Sequence, residues 1–341
     1  MSKITDLAAE LRKLLESGCY PAGARFPSEY ELMNRYQVAR LTANKAVALL
    51  TAEGLLERGR RGSGTFVRCE RKFPRGWFAM ITSLNNLYSM GIIAGASEIS
   101  LDNGCMLSVF QPGQARILSL VDSLARSDCL GILSMEHGVG YLPSDYPKPA
   151  VYLDTGVEDQ PGKKLHSVTC DNYGAAHEMM TRIIASGKKE IVMLGREGSL
   201  NLKQRLAGFR DAMQEHGIGD AERRKFVMHH GSVYEVRQSL QKILRQFPDV
   251  DFIATDSDDL VYRIMDSCNQ KEFERMKNIG LSGFGNIHGI SDLHRIPTVD
   301  QHPWHIGKEA VEALLGILQN GEPADPIRIE VPAEVINTEY L

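Results

Sequence analysis

Apolar side chains recur at helical spacing from the start of the chain. Ile4, Leu7, Ala8, Leu11, Leu14 and Leu15 line one face, with Thr5 as a candidate cap and Gly18 as a stop. "YPAGARFP" then interrupts the pattern with two prolines and a glycine. Ser28 and Glu31 form the pattern of a capping box, which predicts a second helix through Tyr36 with Leu32 and Met33 on its apolar face. Gln37 and Val38 make a tight turn. Arg40 to Gly54 predicts a third helix that buries Ala46, Val47, Leu49 and Leu50. "LLERGRRGSGTFV" reads as two short strands around a glycine-rich tip.

From Gly76 the period changes to short apolar runs alternating with amphipathic stretches. Strands are expected over 77–82, 105–110, 129–134, 150–154, 190–195, 250–256 and 279–284. Helices are expected over 88–101, 115–126, 173–186, 202–216 and 306–319, with "IRIEVPAEVI" as late strand material. Such alternation makes parallel sheets covered on both faces. The region exceeds one such sheet, so two Rossmann-like lobes are expected. The fold class is therefore α/β: a winged helix-turn-helix over residues 1–67, a basic linker over 68–75, and a two-lobed body over 76–341.

Composition separates the two parts further. Residues 1–75 carry 14 Lys/Arg against 8 Asp/Glu, a net of +6, and the remainder carries 25 against 35, a net of −10. A basic head on an acidic body points to a polyanionic partner for the head alone. The first residues alternate charge too often for a secretory signal, and no apolar run reaches membrane-spanning length, so a cytoplasmic protein is expected. Six scattered cysteines without a CxxC pair read as reduced thiols.

The third helix of the head would lead into a major groove with its first residues. That end offers Arg40, Thr42, Asn44 and Lys45. Arginine can grip guanine and asparagine can grip adenine through paired hydrogen bonds, each worth about 1–3 kcal/mol of discrimination. At the tip, Arg58, Arg60 and Arg61 stand among Gly59, Gly62 and Gly64, supplying charge where the backbone can approach phosphate closely. A solvated helix face and a mobile hairpin are the plain alternative.

"PSEYEL", "VARLT", "LTAEGLLER" and "GSGTFV" together resemble the GntR-type winged helix domain across residues 4–67. The resemblance implies that Ser28, Glu29, Arg40, Thr42 and the wing around Arg60, Arg61 and Gly62 lie where the family meets its operator. The chain departs from the family at Ala39, Leu41 and Asn44, and its wing is one residue longer, so operator preference is not carried over.

The body is similar to the LacI/GalR regulators, whose effector domain is periplasmic-binding-protein-like. The motifs are "VTCDNYGAA", "RLAGF", "DFIATDSDDL", "IGLSGF" and "IPTVDQHPWHIGKEAVEALL", in that order. The pairing of this body with a GntR-type head is that of the arabinose-responsive repressor group. Ligands of open α/β sheets sit beyond the carboxyl ends of the strands. Those ends give Ser83, Gln111, Asp154, Arg205, Ser257, Asp258 and Gln301 as candidate effector contacts. Carboxylates would accept from ligand hydroxyls, while Arg and Gln would donate. By resemblance, Ser83, Asp154, Arg205, Ser257 and Gln301 occupy effector-contacting positions. Gly285 stands where the family often has an aspartate, and Trp304 is a candidate stacking surface or else an interface or core residue.

No nucleophile elbow, P-loop or dinucleotide motif is present. "DSDD" lacks companion metal ligands, His302 and His305 lack a third, and His229 and His230 are expected on a strand facing opposite ways. The expectation is a non-enzymatic, cofactor-free repressor of carbohydrate-utilisation genes. Its partners would be duplex operator DNA, a small sugar-like effector and a second copy of the chain. The alternative is a cytoplasmic adaptor or enzyme whose basic head docks to another macromolecule.

Overall fold

The computed structural model describes residues 3–17, 19–21, 23–59, 64–68, 76–84, 87–135, 142, 143, 145–155, 157, 164–198, 200–229, 231–287 and 289–341. Contacts divide the chain into Met1–Arg75 and Gly76–Leu341. The expected wing residues Arg60, Arg61 and Gly62, and the expected linker beyond Arg68, lie outside the described residues.

The head comprises α1 (Lys3–Glu16), α2 (Glu29–Tyr36), α3 (Arg40–Ala52), β1 (Leu56–Arg58) and β2 (Thr65–Val67). Leu7, Leu11, Phe26, Leu32, Val47 and Leu50 share one core. Ser28 caps α2 reciprocally with Glu31, satisfying two otherwise orphaned donors. Antiparallel β1 and β2 pair Leu56 with Val67 and Arg58 with Thr65, and an added bridge joins Arg25 to Phe66. Two local expectations change. Thr5 lies within α1 instead of capping it, because the helix begins at Lys3. Leu49 points outward at 40% exposure, because the buried stripe of α3 runs through Ala43, Ala46, Val47 and Leu50.

The body begins with β3 (Gly76–Ile81), α4 (Leu87–Asp102), β4 (Cys105–Phe110), α5 (Gln114–Arg126), β5 (Gly131–Ser134), β6 (Ala150–Leu153) and β7 (His166–Cys170). It continues through α6 (Asn172–Ala185), β8 (Ile191–Arg196), α7 (Leu200–Glu215), β9 (Lys225–Met228), α8 (Val233–Gln246), β10 (Phe252–Thr255), α9 (Asp258–Ser267) and α10 (Gln270–Met276). The last elements are β11 (Gly280–Ser282), α11 (Ser291–His294), β12 (Thr298–Asp300), α12 (Pro303–Asn320), β13 (Arg328–Val331), β14 (Glu334–Ile336) and a 3-10 turn, Thr338–Tyr340. The strands form a six-stranded sheet in the order β13-β7-β6-β5-β3-β4 and a four-stranded sheet in the order β11-β10-β8-β9, each parallel throughout. Strand ends with Val, Ile, Leu and Met facing both ways require helices on both faces.

The chain passes between the lobes at 171, at 301–302 and at 332–333. A two-stranded antiparallel ladder, β12 with β14, accompanies these passages. His302 takes a left-handed backbone conformation, φ 49°, before Pro303 opens α12. The expectation that α12 starts at Ile306 misses this first turn, where proline suits the unpaired N–H. His229 lies beyond the end of β9, at the surface beside Glu197. His230 lies outside the described residues.

α4 and α12 cross at backbone distance. A Cβ on Gly95 would lie 2.0 Å from the Trp304 carbonyl oxygen, and one on Gly307 would lie 2.1 Å from that of Ile92. Neither obstacle is a side chain that could rotate away. Gly316, farther along α12, has nothing within 4 Å of its added Cβ. Gly95→Ala should therefore destabilise the body by about 1–3 kcal/mol through overpacking. Gly316→Ala should stabilise it by about 0.8–1.0 kcal/mol through helix propensity. Chemical denaturation of the two variants should give midpoint shifts of opposite sign, and shifts of the same sign would contradict the close crossing.

Candidate functional site

On the head, α3 starts without a side-chain cap because Ala39 has no oxygen to offer. Arg40, Leu41 and Lys45 are exposed on its leading turns, and Thr42 is half-buried. Asn44 is half-buried, and its amide donates to the Glu29 carboxylate at 2.9 Å. Glu29 and Asn44 thus tie the start of α2 to α3. Ser28 spends its hydroxyl on the α2 cap. Leu41 is 66% exposed, an apolar side chain suited to a thymine methyl group.

In the body, the cleft-forming groups gather at the passages between the lobes. Asp154 follows β6 in a left-handed conformation, φ 45°. This conformation is tolerable for aspartate and turns the carboxylate away from the strand direction. One carboxylate oxygen accepts from Asn201 Nδ2 at 3.1 Å and from Gln301 Nε2 at 3.4 Å, and the Tyr88 hydroxyl also bonds the carboxylate. Asn201 holds the backbone carbonyl of Asp154 as well, at 2.8 Å. Burial raises the Asp154 pKa above the ordinary carboxylate value, against the opposing pull of Arg205 and three hydrogen bonds. Gln301, 2% exposed, donates to Cys170 Sγ at 3.2 Å, and burial pushes that thiol up to about 12.

Arg205 is 5% exposed on α7. Its Nε donates to Asn172 Oδ1 at 2.7 Å, its Nη1 donates to the Asp256 carbonyl at 2.9 Å, and its guanidinium lies 3.9 Å from the centre of the Phe284 ring. Such stacking and fixed acceptors are what a buried guanidinium needs. Nearby, Arg196 binds the fully buried Asp256 carboxylate with its backbone N–H at 2.7 Å and with its side chain at 3.1 Å. Arg196 also donates to Ser257 Oγ at 2.8 Å, which in turn caps α9.

The structure therefore brings Asp154, Arg205, Gln301 and Ser257 toward one region. Ser83 and Gln111 follow β3 and β4 at the carboxyl end of the same sheet, where Gln111 accepts from the Leu84 N–H at 3.1 Å. Asp258 takes another part. It is fully buried, and its two oxygens accept from Thr298 Oγ1 and the Ile287 N–H at 2.6 Å each, so it braces the loop after β11 against β12. Gly285 has φ 129°, a conformation that side-chain-bearing residues rarely adopt, and Asn286 donates to Asp300 at 3.0 Å. Trp304 donates to Glu98 on α4 at 3.1 Å. Among the described residues no group of three or more His, Cys, Asp or Glu is placed to hold a metal, and no helix is long and apolar enough to cross a membrane.

Sequence reasoning passed over Tyr88, Asn172, Arg196 and Asn201. Asn201 is the most telling of these: it is 2% exposed, and its Oδ1 has no partner. Its only signal was its place one residue inside α7.

A two-lobed α/β receptor behind a winged helix is thus the class defined by fold and site. The chain belongs to the family of periplasmic binding proteins and sugar-binding domains of the LacI family, whose model matches residues 138–338, and its head is matched over residues 3–67 by the bacterial regulatory proteins of the gntR family. The arabinose metabolism transcriptional repressor of Halalkalibacterium halodurans is 24% identical over 336 residues, covering 90% of this chain and 86% of that protein. The histidine utilization repressor of Pseudomonas putida is 47% identical over 73 residues. That match covers 21% of this chain and 27% of that protein, so it concerns the head region alone. Among solved structures, the regulator CelR in complex with cellobiose has a TM-score of 0.66 at 17% identity, covering 88% of this chain and 90% of its own. The trehalose repressor from Escherichia coli has a TM-score of 0.62 at 18% identity, covering 76% of this chain and 99% of its own.

The raised Asp154 pKa sets a pH dependence. The folded state holds the proton more tightly than the unfolded state, so this group's contribution is most favourable below the ordinary carboxylate value of 3.8 and is lost as pH rises through the elevated folded value. Asp154→Asn should therefore raise the melting temperature at pH 7, with the gain shrinking as pH falls toward 4. A loss at pH 7, or a gain independent of pH, would contradict the burial argument.

Proposed function

We propose that this chain is a repressor of carbohydrate-utilisation genes whose cleft takes a sugar-like effector that relieves repression. Residues 1–67 form the DNA-binding domain, 68–75 the linker and 76–341 the effector-binding and dimerisation domain. The observation that carries the reading is the Asp154–Arg205–Gln301 cluster, assembled from both sides of the interlobe passages in a chain headed by a winged helix. Asp154 accepts from ligand hydroxyls, Arg205 and Gln301 donate to ligand oxygens, and the unpartnered Asn201 Oδ1 accepts a further hydroxyl. Ser257 stands at the same cleft. The names of similar proteins, which include an arabinose repressor, a cellobiose complex and a trehalose repressor, support a carbohydrate ligand.

The protein acts in the cytoplasm as a homodimer on duplex operator DNA. Leu87, Met90 and Leu101 are exposed along α4, next to exposed Met106 on β4, an apolar stripe suited to a second copy. Val227, Val233, Tyr234 and Tyr262 are exposed on the other lobe. A dimer places two heads on two half-sites. Arg40, Thr42 and Lys45 read or hold the major groove, with Asn44 and Glu29 as a pair beside them, and Arg60, Arg61 and Gly62 contribute the wing. The effector closes the lobes around Asp154 and Arg205 and thereby favours a state with a different head spacing. Such a ligand shifts the equilibrium only by its difference in affinity for the two states.

Two variants separate the functions. Arg205→Ala should abolish effector-induced release while leaving operator affinity within a few-fold of the parent, measured by fluorescence anisotropy with labelled duplex. Arg40→Ala should flatten base preference by about 1–3 kcal/mol at one position without this loss of response. An Arg205→Ala protein that still releases DNA on effector addition would remove this residue from the pocket.

A further inference from the structure

A cavity lies at the amino-terminal end of the six-stranded sheet, opposite the strand ends that carry Asp154. It has a volume of about 650 Å³ and wraps the amino ends of β6 and β7 beside the end of α12. Leu142, Pro147, Leu165, Ile317 and Leu318 supply apolar walls. Its entrance residues Lys148 and Pro149 precede β6 and lie about 20 Å of extended chain from Asp154, whereas Tyr152, which also lines it, stands two residues before Asp154.

Three features mark this cavity as more than an uneven surface. Tyr152 lines it, is 2% exposed and has no hydrogen-bond partner among the described residues for its hydroxyl. Burial holds that phenol well above its ordinary pKa, so it stays a neutral donor. The phenol O–H is a donor aimed at the cavity, which a ligand acceptor can take. Second, two ammonium groups stand at the rim. Lys148 Nζ donates to the Ser127 and Cys129 carbonyls at 2.8 Å each, and Lys164 Nζ donates to the Pro323 carbonyl at 2.7 Å. An ammonium has three donors, so one remains on Lys148 and two remain on Lys164. Third, the lining carboxylate is already taken. His166 accepts the Ile327 N–H at Nδ1, 3.0 Å, so its neutral ring carries hydrogen on Nε2 and donates to Glu322 at 2.6 Å.

We propose that this cavity is a second small-molecule site, separate from the interlobe cleft, that takes an apolar body bearing one carboxylate. Among the described residues, two rim cations against one committed carboxylate favour an anion. Walls of leucine, isoleucine and proline give no matched partners for the many hydroxyls of a sugar, so a second carbohydrate does not fit. The ligand carboxylate accepts from the Tyr152 hydroxyl and from Lys164, and the apolar body lies along Leu165 and Ile317.

The test uses the full-length protein and sodium 3-phenylpropionate as the probe, with 3-phenylpropan-1-ol as its uncharged twin, both followed by isothermal titration calorimetry. One carboxylate should bind per chain, with the alcohol at least about tenfold weaker. Tyr152→Phe, which keeps the ring and the packing, should weaken the probe by about tenfold or more. Lys164→Met, at an exposed position, should do the same. Asp154→Asn should leave probe affinity unchanged. Absence of binding at millimolar probe, equal binding of the alcohol, or affinity indifferent to both Tyr152→Phe and Lys164→Met would overturn the proposal. Loss of probe binding in Asp154→Asn would assign the probe to the cleft, overturning a separate site.

Discussion

A buried guanidinium governs the body of this protein. Removing an arginine from water costs several kcal/mol unless its donors and its charge are met. Arg205 meets that requirement with groups drawn from separate elements: Asn172 at the start of α6, the Asp256 carbonyl after β10, and the Phe284 ring after β11. Its charge also opposes the burial penalty of Asp154, which follows a strand of the other lobe. Misplacing any of these elements would leave an unpaired charge at the crossing, so one side chain fixes how several loops converge. The polar groups at this crossing are thereby held in place by one another.

Around that centre, neighbouring carboxylates have separate tasks. Asp256 is spent on Arg196, and Asp258 on Thr298 and the Ile287 N–H. Asp154 is held by the side-chain amides of Asn201 and Gln301 and by the Tyr88 phenol, donors that ligand hydroxyls can replace at similar cost. Gly285 contributes no side chain, and Asn286 is turned to Asp300, so neither residue brings a charge to the crossing. The head follows the same economy, with Asn44 held by Glu29 and the exposed positions of α3 left to Arg40, Leu41 and Lys45.

Much of this was legible in the sequence. The strand at 105–110 has the expected bounds, and most helices of the body begin within a few residues of where apolar periodicity places them. Short parallel strands are apolar on both faces, and the runs stand out for that reason. A strand is expected at His229 and His230 but β9 ends at Met228, and α8 escaped although Ser232 and Glu235 form a capping box there, because Lys225–Met228 is brief and flanked by charge. Asp258 was legible as a carboxylate at a strand end, but not as a brace, since its partners are 29 and 40 residues away. Asn201 and Tyr88 were illegible for a related reason. Single polar residues in the first turns of helices look like ordinary caps until the fold sets them beside Asp154.

The account stands on a link between cleft and operator. The most direct measurement is operator affinity at a series of effector concentrations, paired with effector affinity at a series of operator concentrations. A closing cleft predicts that each ligand weakens the other by the same factor, since equilibrium coupling is reciprocal. An effector that binds the free protein and the operator complex with equal affinity would contradict it.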